Sequence, residues 1–259
     1  MGDFCETERD GHVLTVTINR PEVMNALHPA ANAELASVWD DFASDPELWV
    51  GIITGAGERA FSAGNDLKHQ ASGGDMSGQP ASGFGGLTSR FDLDKPVIAA
   101  VNGVAMGGGF EIALACDIII ASDNATFALP EPRVGLAALA GGLQRLPRMI
   151  PLKQAMGMIL TGRRVGAEEG KALGFVTDVS SHDELMPSVR RWAEMILECS
   201  PVSVRASKQT VLGSLDIGSL EEAMKLGQYP AIGDLLRSED FIEGPLAFAQ
   251  KRAPQWKGR

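Results

Sequence analysis

Lys95-Pro-Val-Ile-Ala-Ala-Val-Asn-Gly-Val-Ala-Met-Gly-Gly-Gly-Phe-Glu111 decides how this chain folds. Residues 96–101 form a short, continuously apolar run, which predicts a buried strand. Three consecutive glycines then open a helix expected over residues 112–116. Glycines at a helix entrance either serve close packing of helix against strand or let the backbone approach a ligand. In the second use the free N–H groups of the first turn point outward. Such a terminus favours negative charge, including charge that develops only during a reaction. Glu111 favours the second use. Its neighbours are Phe110, Ile112, Ala113, Leu114 and Ala115, so no solvated helix face can be drawn around it. A carboxylate in an apolar helix costs stability unless it is paired or used. Twenty residues on, Glu131 stands between Pro130 and Pro132, rigidly presented at the end of a strand. Two carboxyls in apolar or constrained settings can have their proton affinities driven apart, which supplies one acid and one base.

The flanks give the fold class. Leu14, Val16 and Ile18 alternate, predicting a half-buried strand over 12–18, and Asp10-Gly11 before it suits a hairpin turn. Leu35, Val38, Trp39 and Phe42 share one face of a helix expected over 29–42. Further strands are expected over 50–54, 117–121 and 126–129. Short strands alternating with helices indicate an α/β protein. Residues 71–89 contain six glycines and four serines without apolar periodicity, predicting a mobile loop that borders a site. Beyond about residue 183 the pattern turns helical. Ser181-His-Asp-Glu184 and Ser219-Leu-Glu-Glu222 have the form of capping boxes, and Pro201 marks a helix start.

Several chemistries are excluded at this level. Gly55-Ala-Gly57-Glu-Arg-Ala60 imitates a dinucleotide fingerprint, but Phe61-Ser-Ala-Gly64 follows at once in place of a long helix. Ser62 lacks the nucleophile-elbow context. His12, His28, His69 and His182 have no metal-ligand spacing, so no metal is expected. A net charge of −10 disfavours nucleic acid and anionic membranes. Cys5, Cys116 and Cys199 offer no disulfide framework, and the first thirty residues have no apolar targeting segment. A cytoplasmic protein is expected.

Together, Phe61-Ser-Ala-Gly-Asn-Asp-Leu-Lys68, the 95–111 segment and Phe127-Ala-Leu-Pro-Glu131 resemble the crotonase (enoyl-CoA hydratase/isomerase) superfamily. The likeness runs from the strand near residue 12 to the C-terminus. It implies a spiral of ββα turns over residues 1–195 and a C-terminal helical oligomerisation region over 196–259, building a homotrimer or hexamer. It also implies an oxyanion hole for an acyl-CoA thioester, made by the main-chain N–H groups of Asn65 and Gly108. Hydratases of the family carry two glutamates, here at Glu111 and Glu131, with Glu111 activating water and Glu131 exchanging the C2 proton. Having both disfavours a double-bond isomerase. Arg59, Ala63 and Lys68 match positions that meet CoA. Phe248 and Lys251 resemble an element reaching an adjacent subunit's CoA. CoA arrives as part of the substrate, and no separate cofactor is implied.

Within the family, Thr161-Gly-Arg-Arg-Val-Gly-Ala-Glu-Glu169, residues 238–248 and the ending Gln255-Trp-Lys-Gly-Arg259 are most similar to the carnitinyl-CoA dehydratase branch. That branch has Trp where Asn65 stands and Pro-Asp where Ala138-Leu139 stands. A trimethylammonium group wants an aromatic face or an acid. Only the 71–89 loop or Trp39 is left to supply the aromatic, so Leu139 predicts an acyl pocket for a plain short enoyl-CoA.

Overall fold

Val13–Ile18 forms β2 and pairs antiparallel with β1 (Cys5–Asp10) across the Asp10-Gly11 turn, in register from Cys5 opposite Ile18 to Asp10 opposite Val13. The structure is a computed structural model and describes residues 2–75 and 77–259. After β2 the chain winds in ββα turns. The first is β3 (Val50–Gly55), β4 (Ala60–Ser62) and the helix Leu67–Ala71. The second is β5 (Val97–Val101), β6 (Val104–Met106) and the helix Gly108–Ala115. The third is β7 (Ile118–Ser122), β8 (Thr126–Ala128), a 3₁₀ turn Glu131–Val134 and the helix Gly142–Met149. The first strand of each turn joins a six-stranded sheet and the second joins a four-stranded one. The order is β1-β2-β3-β5-β7-β10 in the first, with β10 at Asp178–Ser180, and β4-β6-β8-β9 in the second, with β9 at Val165–Gly166. Steps from β2 to β10 in the larger sheet are parallel. This is the expected spiral.

Both faces of β3 and β5 are buried, as continuously apolar strands require. One face packs with Trp39, Phe42, Phe61 and Phe110 in the main core; the other packs on Leu185, Val189 and Ala193 of the helix Leu185–Leu197. Three expectations need correction. The helix after the glycines begins at Gly108, not at 112, because all three glycines lie at its entrance or first turn. Ser181 does not cap: a 3₁₀ turn, His182–Glu184, precedes Leu185–Leu197, and its N-cap makes no side-chain hydrogen bond. Ser219 does cap, accepting from the Glu222 N–H. Residues 71–89 are not a loop throughout. Phe84–Gly86 is a 3₁₀ turn, and Gly85 through Thr88 are buried because this turn packs on the helices Pro29–Ser44 and Gly108–Ala115. Met76 of that stretch lies outside the described residues. Among those residues, no helix is long and apolar enough to cross a membrane, and no group of three His, Cys, Asp or Glu side chains could hold a metal ion.

Candidate active site

The end of β4 is shaped by a turn that sequence patterning did not single out. Met24 and Asn25 both adopt left-handed backbone (φ 56° at each), which places the Asn25 amide against the β4 strand. Asn25 Nδ2 donates to the carbonyls of Ala60 (2.7 Å) and Ala56 (3.0 Å). Ser62 Oγ donates to the Asn25 carbonyl (2.8 Å) and accepts from the Gly64 N–H (3.1 Å), so this buried hydroxyl is structural. Arg20 Nη1 donates to Asp66 Oδ2 (3.1 Å) and to the Ala26 carbonyl, while Asp66 accepts from the His69 N–H and caps Leu67–Ala71. Asn65 is thereby fixed between two anchored neighbours. Its side-chain amide donates to Gln70 (3.1 Å), away from any need of the main chain.

The second wall is the glycine entrance. Gly107 (φ 54°, ψ −125°) has a conformation open only to glycine, and its N–H donates to the Ala128 carbonyl (2.9 Å). Gly64 (φ 85°) is pressed on this wall. A β-carbon there would lie 2.6 Å from the Met106 carbonyl oxygen and 2.8 Å from the Gly108 nitrogen. Neither the Asn65 nor the Gly108 N–H donates to another group among the described residues. Two unused main-chain donors on segments in contact are an arrangement that can hold a developing negative charge. Phe84 lies on Gly108, its Cδ1 2.8 Å from where a β-carbon would sit.

Both carboxyls border this entrance. Glu111 is only 3% exposed, in the first turn of a helix buried almost throughout. Burial pushes its pKa up to about 7, nearby Glu131 adds to the rise, and the Gly142 and Ala140 N–H groups and Arg145 pull it back. The Gly142 N–H donates to Glu111 Oε1 at 2.8 Å and fixes its direction. Glu131 is also raised by burial. Its Oε1 lies 2.9 Å from where a Gly107 β-carbon would be, and its Oε2 is buried without a hydrogen-bond partner among the described residues. A buried carboxyl oxygen left unpaired costs about 1–3 kcal/mol. Two carboxyls whose proton affinity burial raises, beside two free N–H donors, can move a proton to and from a carbonyl-activated carbon.

The remaining positions are spread around this centre. Arg59 and Lys68 are exposed on either side of the Phe61–Asn65 stretch. Ala63 spends its N–H on the Met24 carbonyl (2.9 Å). Leu139 is 80% exposed on the segment that leads to Gly142. Phe248 (86% exposed) lies in the last turn of the helix Glu239–Ala249, and Lys251 follows that helix with a left-handed φ of 55°. Trp39 is fully buried against Phe42 and cannot reach a ligand. A cleft of about 480 Å³ opens at the opposite end of β5 beside Asp94, Lys95 and Arg205, and does not include the two glutamates. Arg20, Asn25, Phe84 and Arg145 were all missed in the sequence. The one signal for them was Asn25, a polar residue inside an otherwise apolar Val-Met-Asn-Ala-Leu run, typical of a left-handed turn.

Residues 8–259 match the enoyl-CoA hydratase/isomerase family. The chain is 46% identical to carnitinyl-CoA dehydratase of Escherichia coli K12 and 45% identical to that of Salmonella typhi, with full coverage of both chains in each case. Its structure superposes on an enoyl-CoA hydratase from Mycobacterium marinum with a TM-score of 0.92, 38% identity and full coverage of both chains.

Proposed function

The chain belongs to the enoyl-CoA hydratase/isomerase family, and from that membership and the site's geometry we propose that it is a hydro-lyase acting on a short enoyl-CoA thioester. The observation that carries this reading is the pair of buried-raised carboxyls, Glu111 and Glu131, at an entrance with two unused N–H donors. The thioester oxygen sits between the Asn65 and Gly108 N–H groups. Glu111, half ionised near neutral pH, takes a proton from the water that attacks C3. Negative charge moves through the enolate onto the oxygen, where the two donors stabilise it. Glu131 delivers a proton to C2, and the product carries hydroxyl on C3 and hydrogen on C2. The reverse sequence removes water. Electrons balance without an oxidant or reductant, so no separate cofactor is called on.

Arg59 and Lys68, exposed beside the hole, supply local positive charge for the CoA phosphates, which the net charge of −10 would otherwise repel. Ala63, its N–H already spent, offers its carbonyl to CoA. The helical region from 196 onward is the oligomerisation element of the 1–195 core. Leu220 (76% exposed), Met224 (68%) and Leu246 (45%) are too apolar to leave in water, and Phe248 and Lys251 reach a neighbour's CoA. Light scattering is expected to report a trimer or hexamer; a monomer at micromolar concentration overturns this assembly. Free thiols at Cys5, Cys116 and Cys199 suit a reducing cytoplasm.

For the acyl group, Asn65 and Leu139 favour crotonyl-CoA. Missing an aromatic face forfeits roughly 0.5–2 kcal/mol of cation attraction, about 2- to 30-fold in specificity. One observation favours the second reading, dehydration of carnitinyl-CoA: Phe84 brings an aromatic ring from the 71–89 stretch onto Gly108. That ring sits against Gly108, at the hole, so we expect kcat/KM for crotonyl-CoA to exceed that for crotonobetainyl-CoA. A ratio about tenfold in the opposite direction restores the carnitine substrate.

A further inference from the structure

Arg145 is a charge that the chemistry above leaves unused. It lies in the first turn of Gly142–Met149, partly buried, and its contacts include no carboxylate. Nη2 donates to the Thr88 carbonyl (2.8 Å), Nη1 reaches the Ala140 carbonyl (3.5 Å), and the guanidinium stands 5.7 Å from the centre of the exposed Phe91 ring. Gly141 has φ 102°, and a β-carbon there would press on the Arg145 guanidinium. Thus one side chain ties together two segments 57 residues apart. One is the turn at 84–88, which lays Phe84 on Gly108; the other is the 138–142 segment, whose Gly142 N–H holds Glu111. Burial works against the charge of Arg145, and Cys116 and Glu111 are the groups that favour it. Burial keeps Cys116 a protonated thiol, so Glu111 is the charge Arg145 answers to.

We propose that Arg145 is a positioning residue of the acid–base site: it clamps the Ala140–Gly142 segment to the Thr88 turn and presents its charge to Glu111. This rests on Glu111 acting as the base. Two charged groups face Glu111, Glu131 and Arg145, and they act on it in opposite directions. Removing Arg145 leaves no positive charge against Glu131, only the Gly142 and Ala140 N–H groups, so Glu111 holds its proton to higher pH and the acidic limb of the rate profile moves up.

The test compares R145Q and R145K in the full-length protein. Turnover of crotonyl-CoA is followed against pH, and the Glu111 carboxyl is titrated by carbon NMR with E111Q identifying its resonance. In R145Q, kcat is expected to fall about 10- to 100-fold with KM within about twofold, since the CoA contacts lie elsewhere. Its acidic limb and Glu111 midpoint should both rise, and R145K should return both to the wild-type position and recover part of kcat. A limb and midpoint that stay at wild-type values in R145Q overturn the proposal, whatever the loss of kcat. If R145Q does not fold, R145K decides: a several-fold loss of kcat with an unmoved midpoint is expected, and wild-type kcat overturns it. If the wild-type protein hydrates no enoyl-CoA, the functional reading fails instead, and the NMR midpoints alone still decide the role of Arg145.

Discussion

Glu111→Gln is expected to lower hydration of crotonyl-CoA by ~10²–10⁴ while making the protein more stable at neutral pH. The first effect follows from chemistry. An amide in place of the carboxylate keeps an oxygen for the Gly142 N–H but cannot accept the water's proton. The second follows from burial. In the folded protein Glu111 keeps its proton up to pH about 7, whereas the unfolded chain sheds it near the ordinary value of 4.5. The native state therefore binds more protons across that window, and its stability falls as pH rises through it. The penalty is absent below the unfolded value and complete above about 7. Gln carries no such penalty, so the gap between variant and wild type should open between pH 4.5 and 7 and then level off. From the shift its size is on the order of 3 kcal/mol, read from denaturant unfolding at one protein concentration. Activity and stability moving in opposite directions distinguishes lost chemistry from lost structure.

Glu131→Gln should lose activity on the same scale, with CoA binding retained by both variants. Glu131 differs in having Oε2 without a partner among the described residues; Gln leaves a polar atom at that position, so the replacement relieves only the burial of charge. Near-wild-type turnover of both crotonyl-CoA and crotonobetainyl-CoA by either variant removes that residue from the mechanism.

How much of this was legible depended on the range of the interactions. β2, β3, β5 and β7 were read to within a residue or two, because alternation or a continuous apolar run reports burial locally. Glu111 was legible for the same reason: a charge between Phe110 and Ile112 needs no distant information to be anomalous. The short strands β4, β6 and β9 were not read. Each has only two or three residues and is defined by partners in other turns of the spiral. Asn25 bonds Ala60 across 35 residues and Arg145 bonds Thr88 across 57, so neither announces its partner. The Gly/Ser-rich composition of 71–89 hid Phe84 and Leu87. Both are apolar residues whose anchoring depends on where the helix Gly108–Ala115 lies.

Gly64→Ala is expected to cut kcat for crotonyl-CoA by ~10²–10³, the range for losing one donor of an oxyanion hole. Gly64 precedes one donor and touches the other, and the structure leaves no space between them. With a methyl group 2.6 Å from the Met106 oxygen and 2.8 Å from the Gly108 nitrogen, the two segments must separate. Both contacts are with backbone, which cannot rotate away as a flexible side chain could. Hydrogen bonds aimed at a position defined by two loops weaken together when the loops part. Strain contributes too, because φ is 85° at this position and alanine disfavours it by about 1 kcal/mol. Gly174 separates the two causes. It has φ 100° and nothing within 4 Å of its would-be β-carbon, so Gly174→Ala carries the strain without the collision. That variant should lose comparable local stability and keep wild-type kcat. If Gly64→Ala hydrates crotonyl-CoA within a few-fold of wild type, the hole is not built from Asn65 and Gly108. A fall in kcat shared equally by both variants would trace the loss to general loosening instead.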